Sequence, residues 1–227
     1  SLWWLLKQLY NKGLLYKGYT IQPYSPAAGT GLSSHELNQP GCYRDVKDTT
    51  VTALFEIVNP KEEWTKWGKP CFAAWTTTPW TLPSNTALAV GPGIDYVFVR
   101  TFNPYSGELE IVVMAKARMN AYCPEKNAAL AFADYKKGDK DIPFEVLAEC
   151  KGKDLVGYSY EQLMNFVSPM GNAFKVIGGD YVTTEDGTGI VHIAPTFGAD
   201  DDRVAKQAGI VPLFVVDKAG KNQPMVD

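Results

Sequence analysis

From Asp45 onward the chain is written in short stretches of strand-like residues separated by turn residues, and this narrows its possible folds more than any other feature. Val51, Ala53, Phe55 and Ile57 alternate with Thr50, Thr52, Leu54 and Glu56, as in a strand buried on one face. Residues 71–75 form a second, apolar run, and residues 86–90 a third. Residues 96–102 and 108–114 flank Asn103-Pro104-Tyr105-Ser106-Gly107, which reads as a hairpin. Further strands are expected at 144–149, 181–184, 189–193 and 211–216. Helical spacing appears only at 115–122, 127–136 and 202–207. Many short strands with few helices predict an α+β, β-barrel-like domain with peripheral helices.

The first 44 residues differ in character. Leu2, Leu5, Leu6, Leu9, Leu14 and Leu15 recur at roughly helical spacing and predict a helix ending near Gly18. A short strand is expected at 19–24, and the Pro-, Gly- and Ser-rich residues 25–41 read as loop or linker. The expected organisation is an N-terminal helical arm and linker over 1–44 and one larger domain over 45–227. The chain has no initiator Met, residue 2 already lies in a helical pattern, and Gly220-Lys221-Asn222-Gln223-Pro224 breaks off in mid-loop. It therefore reads as a piece of a longer protein.

Composition limits the function classes. Hydrophobic residues make up 45% of 227, enough for a real core. The net charge is −3, whereas a protein gripping a long stretch of nucleic-acid backbone usually carries a basic surplus. Any nucleic acid is expected to be met at a short end. Cys42, Cys71, Cys123 and Cys150 form no CxxC pair, and His35 and His192 lie far from zinc-finger spacing, so no metal site is expected. Neither a signal peptide nor an 18-residue apolar run is present, and a reducing cytoplasm is the expected setting.

Two segments carry the chemistry. In the first, Thr76-Thr77-Thr78 follows an apolar strand and ends at Pro79, with Trp80 and Asn85 close behind. Pro79 biases Thr78 toward an extended backbone. Thr76 and Thr78 then face one way and Thr77 the other. Hydroxyls so placed can hold a water or a carbonyl oxygen, but are poor nucleophiles without a base. Composition alone favours a plainer reading, a β-favouring polar run at a sheet edge. In the second segment, Gly187-Thr188-Gly189 is a turn, His192 sits near the end of a strand stopped by Pro195, and Gly198 opens a helix whose first turn holds Asp200, Asp201 and Asp202. Helix capping explains those acids without invoking function. Alternatively, one carboxylate there is placed to hold an ammonium group.

Thr76-Thr77-Thr78-Pro79-Trp80-Thr81-Leu82-Pro83-Ser84-Asn85, followed by Gly187-Thr188-Gly189-Ile190-Val191-His192, resembles the two signature stretches of the editing domain of class I aminoacyl-tRNA synthetases, in the same order and at a similar separation. Leucyl and valyl relatives typically carry Thr-Arg-Pro after the threonines; the direct Thr78-Pro79-Trp80 step and His192 resemble the isoleucyl branch. The resemblance implies that Thr76, Thr77 and Thr78 line a hydrolytic site, with Thr77 closest to the ester. It implies that Trp80 and Asn85 shape the pocket, that His192 limits the side chain admitted, and that Asp201 anchors the substrate's ammonium. This chain has three acids in that turn where the family usually shows two, so Asp200 and Asp202 compete for the role. Residues 23–33 lack the cysteines many relatives have there.

The implied substrate is the 3′ end of tRNA(Ile) carrying valine, with valyl-adenylate as a second candidate. The implied partner is the rest of the synthetase chain. A monomer without a membrane association is expected, and no cofactor in this domain. ATP and magnesium would serve only the synthetase body, whose HIGH and KMSKS motifs do not occur here. Two other readings fit the same residues: a valyl-type domain clearing threonine, and a module that docks the tRNA end without cleaving it.

Overall fold

The computed structural model describes residues 2–18 and 20–224. It divides into two compact units, Ser1–Arg44 and Asp45–Asp227.

The first unit opens with α1 (Leu2–Asn11). This helix stops seven residues short of the expected Gly18. Gly13 adopts a φ of 71°, and the bonds Gly13 N–H to Tyr10 C=O and Leu14 N–H to Leu9 C=O close a Schellman-type end. Left-handed backbone at Gly13 satisfies the last carbonyls, so Leu14 and Leu15 lie outside the helix despite their spacing. The expected strand at 19–24 includes Tyr19, outside the described residues. The expected loop at 25–41 contains structure: β1 (Tyr24–Ser25) pairs antiparallel with β2 (Thr30–Gly31), and α2 (Ser34–Leu37) follows, closed by a Ser33–Glu36 capping box.

The second unit is built on a nine-stranded sheet. Its strands are β3 (Val51–Val58), β4 (Pro70–Thr76), β5 (Ala87–Val90), β6 (Asp95–Phe102), β7 (Leu109–Ala115), β8 (Phe144–Lys151), β9 (Ser159–Tyr160), β10 (Lys175–Gly178) and β11 (Ile190–Ile193). The order is β11-β5-β10-β9-β3-β4-β7-β6-β8, and β11 pairs again with β4. That second pairing, at Val191 and Trp75, closes β4, β3, β9, β10, β5 and β11 into a barrel. One edge of β4 serves two partners. Its first half pairs with β7 and its end with β11. Consequently β6, β7 and β8 leave the barrel as an antiparallel flap. The expected barrel-like α+β class is the observed one.

The alternation in β3 places Ala53, Phe55 and Ile57 inward, where they meet Phe72, Leu88, Val90, Phe98 and Tyr160 in one apolar cluster. Burying each large side chain of this kind stabilises by about 1.5–3 kcal/mol. A short helix, α3 (Glu62–Thr65), plugs one side with Trp64, whose ring lies 4.5 Å from that of Phe98. α4 (Met119–Tyr122) follows a 3₁₀ turn after β7, and α5 (Ala199–Gln207) follows β11. The hairpin β12 (Phe214–Val216) with β13 (Asn222–Pro224) comes last.

Two expected elements do not form. Residues 127–136 make only 3₁₀ turns, at Glu125–Asn127 and Phe132–Asp134. The segment is too short to hold a helix by itself, and Tyr135 instead stacks on Phe102 at 4.3 Å. Residues 181–184 are strand-forming by composition, yet no neighbouring strand pairs with them; Val182 turns into a second apolar cluster with Ile193 and Val204. The four cysteines are all free thiols. No helix among the described residues is long and apolar enough to cross a membrane.

Candidate functional site

The pairing of β4 with β11 determines where the site lies. It brings the end of the threonine run against the strand carrying His192. Two glycines permit this approach. Gly187 has a φ of 64°, and a Cβ on it would meet the Trp75 ring at 2.8 Å; a Cβ on Gly189, with a φ of 74°, would collide with that of Ala115. Arg118 pins the turn by donating to the carbonyls of Gly187 at 2.8 Å and Glu185 at 2.9 Å.

A cleft of about 490 Å³ opens between these segments, and Thr76, Thr77, Thr78, Trp80, His192 and Asp201 all line it. Asn85 stands behind this lining, at 3% exposure, and reaches the site through His192. Thr76 and Thr78 face the same way, their hydroxyls 3.2 Å apart, while Thr77 is exposed. Thr78 has no free route into a helix interior because Pro79 follows it. It starts a 3₁₀ turn, Pro79–Ser84, and its N–H bonds to the Thr76 hydroxyl at 3.0 Å. In a 3₁₀ turn side chains three apart eclipse, and this sets the Thr81 hydroxyl 3.2 Å from that of Thr78. Sequence reasoning missed Thr81; that spacing was the signal for it.

His192 is 8% exposed. Burial holds its pKa down at about 4, so the ring is neutral at pH 7. The network assigns its tautomer. Among the described residues, Tyr160 O–H has one acceptor, the Asn85 Oδ1, 2.6 Å away. Asn85 Nδ2 donates to the Ala87 carbonyl at 2.9 Å and to His192 Nδ1 at 2.8 Å. His192 Nε2 therefore carries the proton and donates to Thr81 Oγ1 at 3.0 Å.

The three acids of the α5 first turn have different surroundings. Gly198 is the N-cap and no side chain caps the helix, but all three acids lie in its first turn, where carboxylates suit the positive end of the helix dipole. Asp200 pairs with Arg203 at 2.9 Å and Asp202 with Lys206 at 2.6 Å. Asp201 has no basic partner among the described residues. Its carboxylate accepts the Ala194 N–H at 2.9 Å and lines the cleft. Burial raises its pKa, opposed by the Ala194 bond, with Asp200 nearby adding to the rise. A Cβ on Gly198 would press on the Asp201 carboxyl carbon at 3.0 Å, which accounts for a glycine there. Tyr181, Thr183 and Phe197 complete the wall, and nothing in their sequence pattern marked them.

The arrangement combines an unpaired, partly desolvated carboxylate, a row of hydroxyls and a neutral imidazole around one opening. Such a site can hold a cation at one end and a polar, uncharged reacting group at the other.

No protein-family model matches the chain. Among curated proteins it is 70% identical over 227 residues to an isoleucine–tRNA ligase of Bacteroides fragilis, matching 100% of this chain and 20% of that protein. It is 62% identical over 228 residues to that of Porphyromonas gingivalis, at 100% and 20% coverage. The figure for Thermoplasma acidophilum is 40% over 221 residues, at 97% and 18%. The chain thus spans about a fifth of the length of these relatives. Among solved structures, it is similar to the Plasmodium knowlesi cytosolic leucyl-tRNA synthetase editing domain, with a TM-score of 0.49, 17% identity, and coverage of 72% of this chain and 66% of that one.

Proposed function

Because the chain belongs to the isoleucyl-tRNA synthetase family, as a segment about a fifth of those enzymes' length, we propose that its cleft is a proofreading site that hydrolyses the ester of valine wrongly joined to tRNA(Ile). The observation that carries this reading is that the unpaired carboxylate of Asp201 and the hydroxyl row of Thr76, Thr78 and Thr81 face or back one cleft.

In this mechanism the α-ammonium of the aminoacyl group binds Asp201 through a charge-assisted hydrogen bond. That partner favours the ionised carboxylate and offsets the upward push from burial. The ester carbonyl is thereby held near the threonines. Water attacks the carbonyl carbon, the bond to the ribose oxygen breaks, and the proton lost by the water ends on that oxygen. The products are valine and free tRNA(Ile). An aminoacyl ester is already activated, so placing the water and stabilising the developing oxyanion supply the catalysis. Thr77, the exposed member of the run, and Trp80 both line the cleft, and in this mechanism Thr77 takes the place nearest the incoming ester.

Selectivity is assigned to His192. Valine lacks one methylene of isoleucine, and a pocket fitted to isoleucine gains only about 1–3 kcal/mol from that group; isoleucyl-tRNA synthetase is itself a standard case of this limit. A second pocket too small for isoleucine reverses the preference, and the buried ring of His192 forms one wall of the cleft. The reading uses no resident metal or cofactor. The partners are the 3′ end of valyl-tRNA(Ile) and the remainder of the synthetase, in the cytoplasm, with this segment acting as a monomer. Hydrolysis of valyl-adenylate at the same site is part of the proposal.

A valyl-adenosine analogue with an amide in place of the ester tests it. The expected result is binding that perturbs the His192 ring, with the isoleucyl analogue at least tenfold weaker. Equal binding of the two, or binding away from the cleft, overturns it.

A further inference from the structure

We propose that Tyr160 and Thr81 are positioning residues for this site, the two ends of a one-way hydrogen-bond relay that leaves the Thr78 hydroxyl a proton acceptor toward the cleft. The relay's place in hydrolysis rests on the preceding reading; its existence does not.

The direction follows from counting donors. Tyr160 is 2% exposed, packed between Phe55 and Phe174, and its hydroxyl bonds to Asn85 Oδ1. The carbonyl oxygen of Asn85 accepts only, so the phenol donates. The two amide protons of Asn85 go to its two nearest acceptors, Ala87 C=O at 2.9 Å and His192 Nδ1 at 2.8 Å, with Ile193 C=O a longer third contact at 3.5 Å. A neutral imidazole with Nδ1 accepting must donate from Nε2, which it does to Thr81 Oγ1. Thr81 has a single proton, and the carbonyl of Thr78 takes it at 2.8 Å. The remaining contact, Thr78 Oγ1 to Thr81 Oγ1, therefore has Thr78 as donor. Thr76 Oγ1, which accepts the Thr78 N–H, then donates to Thr78 Oγ1.

Thr78 Oγ1 is thus left with one lone pair and no proton to give. It lines the cleft, half-buried. A water beside it is held by one of the water's own O–H bonds, which turns an oxygen lone pair of that water outward for attack. If the relay ran the other way, Thr78 would donate to the water and tie up that lone pair. Tyr160 and Thr81 touch no reacting atom in this scheme. They act by holding the Asn85 amide and the His192 tautomer in one sense, in surroundings where an unmade bond is costly.

The chain has two histidines, so imidazole nitrogen NMR on the whole chain reads His192 against His35 alone. The expected spectrum shows His192 as the neutral Nε2–H tautomer, and Asn85→Asp, which replaces the amide donor by an acceptor, moves the proton to Nδ1. Finding Nδ1–H in the unmodified chain, or no tautomer change in Asn85→Asp, overturns the relay whether or not the domain is a deacylase. With valyl-tRNA(Ile), Tyr160→Phe keeps the ring and removes the donor. It is expected to lower kcat about tenfold, the rate equivalent of one hydrogen bond, with KM unchanged. Thr81→Val is expected to do the same, and Thr81→Ser to restore kcat. Unchanged kcat in Tyr160→Phe, or a Thr81→Ser as slow as Thr81→Val, shows a packing role only and overturns the positioning claim.

Discussion

Lowering the pH destabilises this domain through one buried ring, and the size of the effect follows from the structure. His192 has an ordinary pKa of 6.5 and about 4 in the folded chain, with burial as the cause. Between these values the unfolded chain binds a proton that the folded chain refuses. Unfolding is then favoured as pH falls, so the loss begins near 6.5 and is complete near 4. Above 6.5 the ring is neutral in both states and contributes nothing to the pH dependence. Each pH unit of the gap is worth about 1.4 kcal/mol, giving a loss of about 3 kcal/mol. Against a typical total of about 5–15 kcal/mol, this is a large share. Urea unfolding at about pH 7 and about pH 4, in the parent chain and in His192→Gln, isolates it, because other groups titrate in both chains and cancel in the difference. The parent is expected to lose about 3 kcal/mol more than the variant. Equal losses would refute a buried, neutral His192 and the tautomer argument with it.

Other outcomes follow from the same geometry. Asp201→Asn keeps an acceptor for the Ala194 N–H but removes the charge; deacylation of valyl-tRNA(Ile) is expected to fall about 10- to 100-fold, the worth of a charged hydrogen bond, and steady-state kinetics would show it. His192→Ala enlarges the cleft and is expected to release labelled isoleucine from isoleucyl-tRNA(Ile), an ester the parent is expected to spare. Thr81→Val strands the buried Nε2–H and is expected to cost about 1–3 kcal/mol in thermal or urea unfolding. Treatment with a chelator is expected to leave deacylation unchanged; a zinc requirement would contradict the metal-free scheme.

How far the sequence could be read depended on whether a signal was local. β3 was legible because its alternation survives in Val51, Ala53, Phe55 and Ile57, each matched to one inward face. The hairpin of β6 and β7 was legible from Asn103-Pro104-Tyr105-Ser106-Gly107 between two apolar runs. β9 and β10 were not. β9 has two residues and β10 four, too few to show a period, and both strands are fixed by partners far away in sequence, Tyr160 by Ile57 and Lys175 by Ala87. α1 was read too long because leucine spacing continues past Gly13, whose backbone conformation ends the helix regardless. Residues 181–184 show strand propensity overridden by tertiary context, since no sheet edge is offered to them.

The candidate site divides along the same line. Thr76, Thr78, His192 and Asp201 were visible as motif residues, and the structure sets all four around one cleft. The choice of Asp201 among three adjacent acids came from the resemblance; the residues alone did not show it. It depends on which carboxylates find Arg203 and Lys206, a matter of helix geometry. Tyr160 lies 75 residues from Asn85 in sequence, and only the closed barrel brings its hydroxyl to the amide. No local pattern announces such a contact.

The most direct test of the account is release of amino acid from tRNA(Ile) charged with labelled valine, run beside the same tRNA charged with isoleucine. The account predicts rapid loss of valine catalysed by this chain while the isoleucyl ester persists. Loss of both at similar rates would contradict the sieve, and loss of neither by a chain that binds the valyl-adenosine analogue in its cleft would contradict hydrolysis.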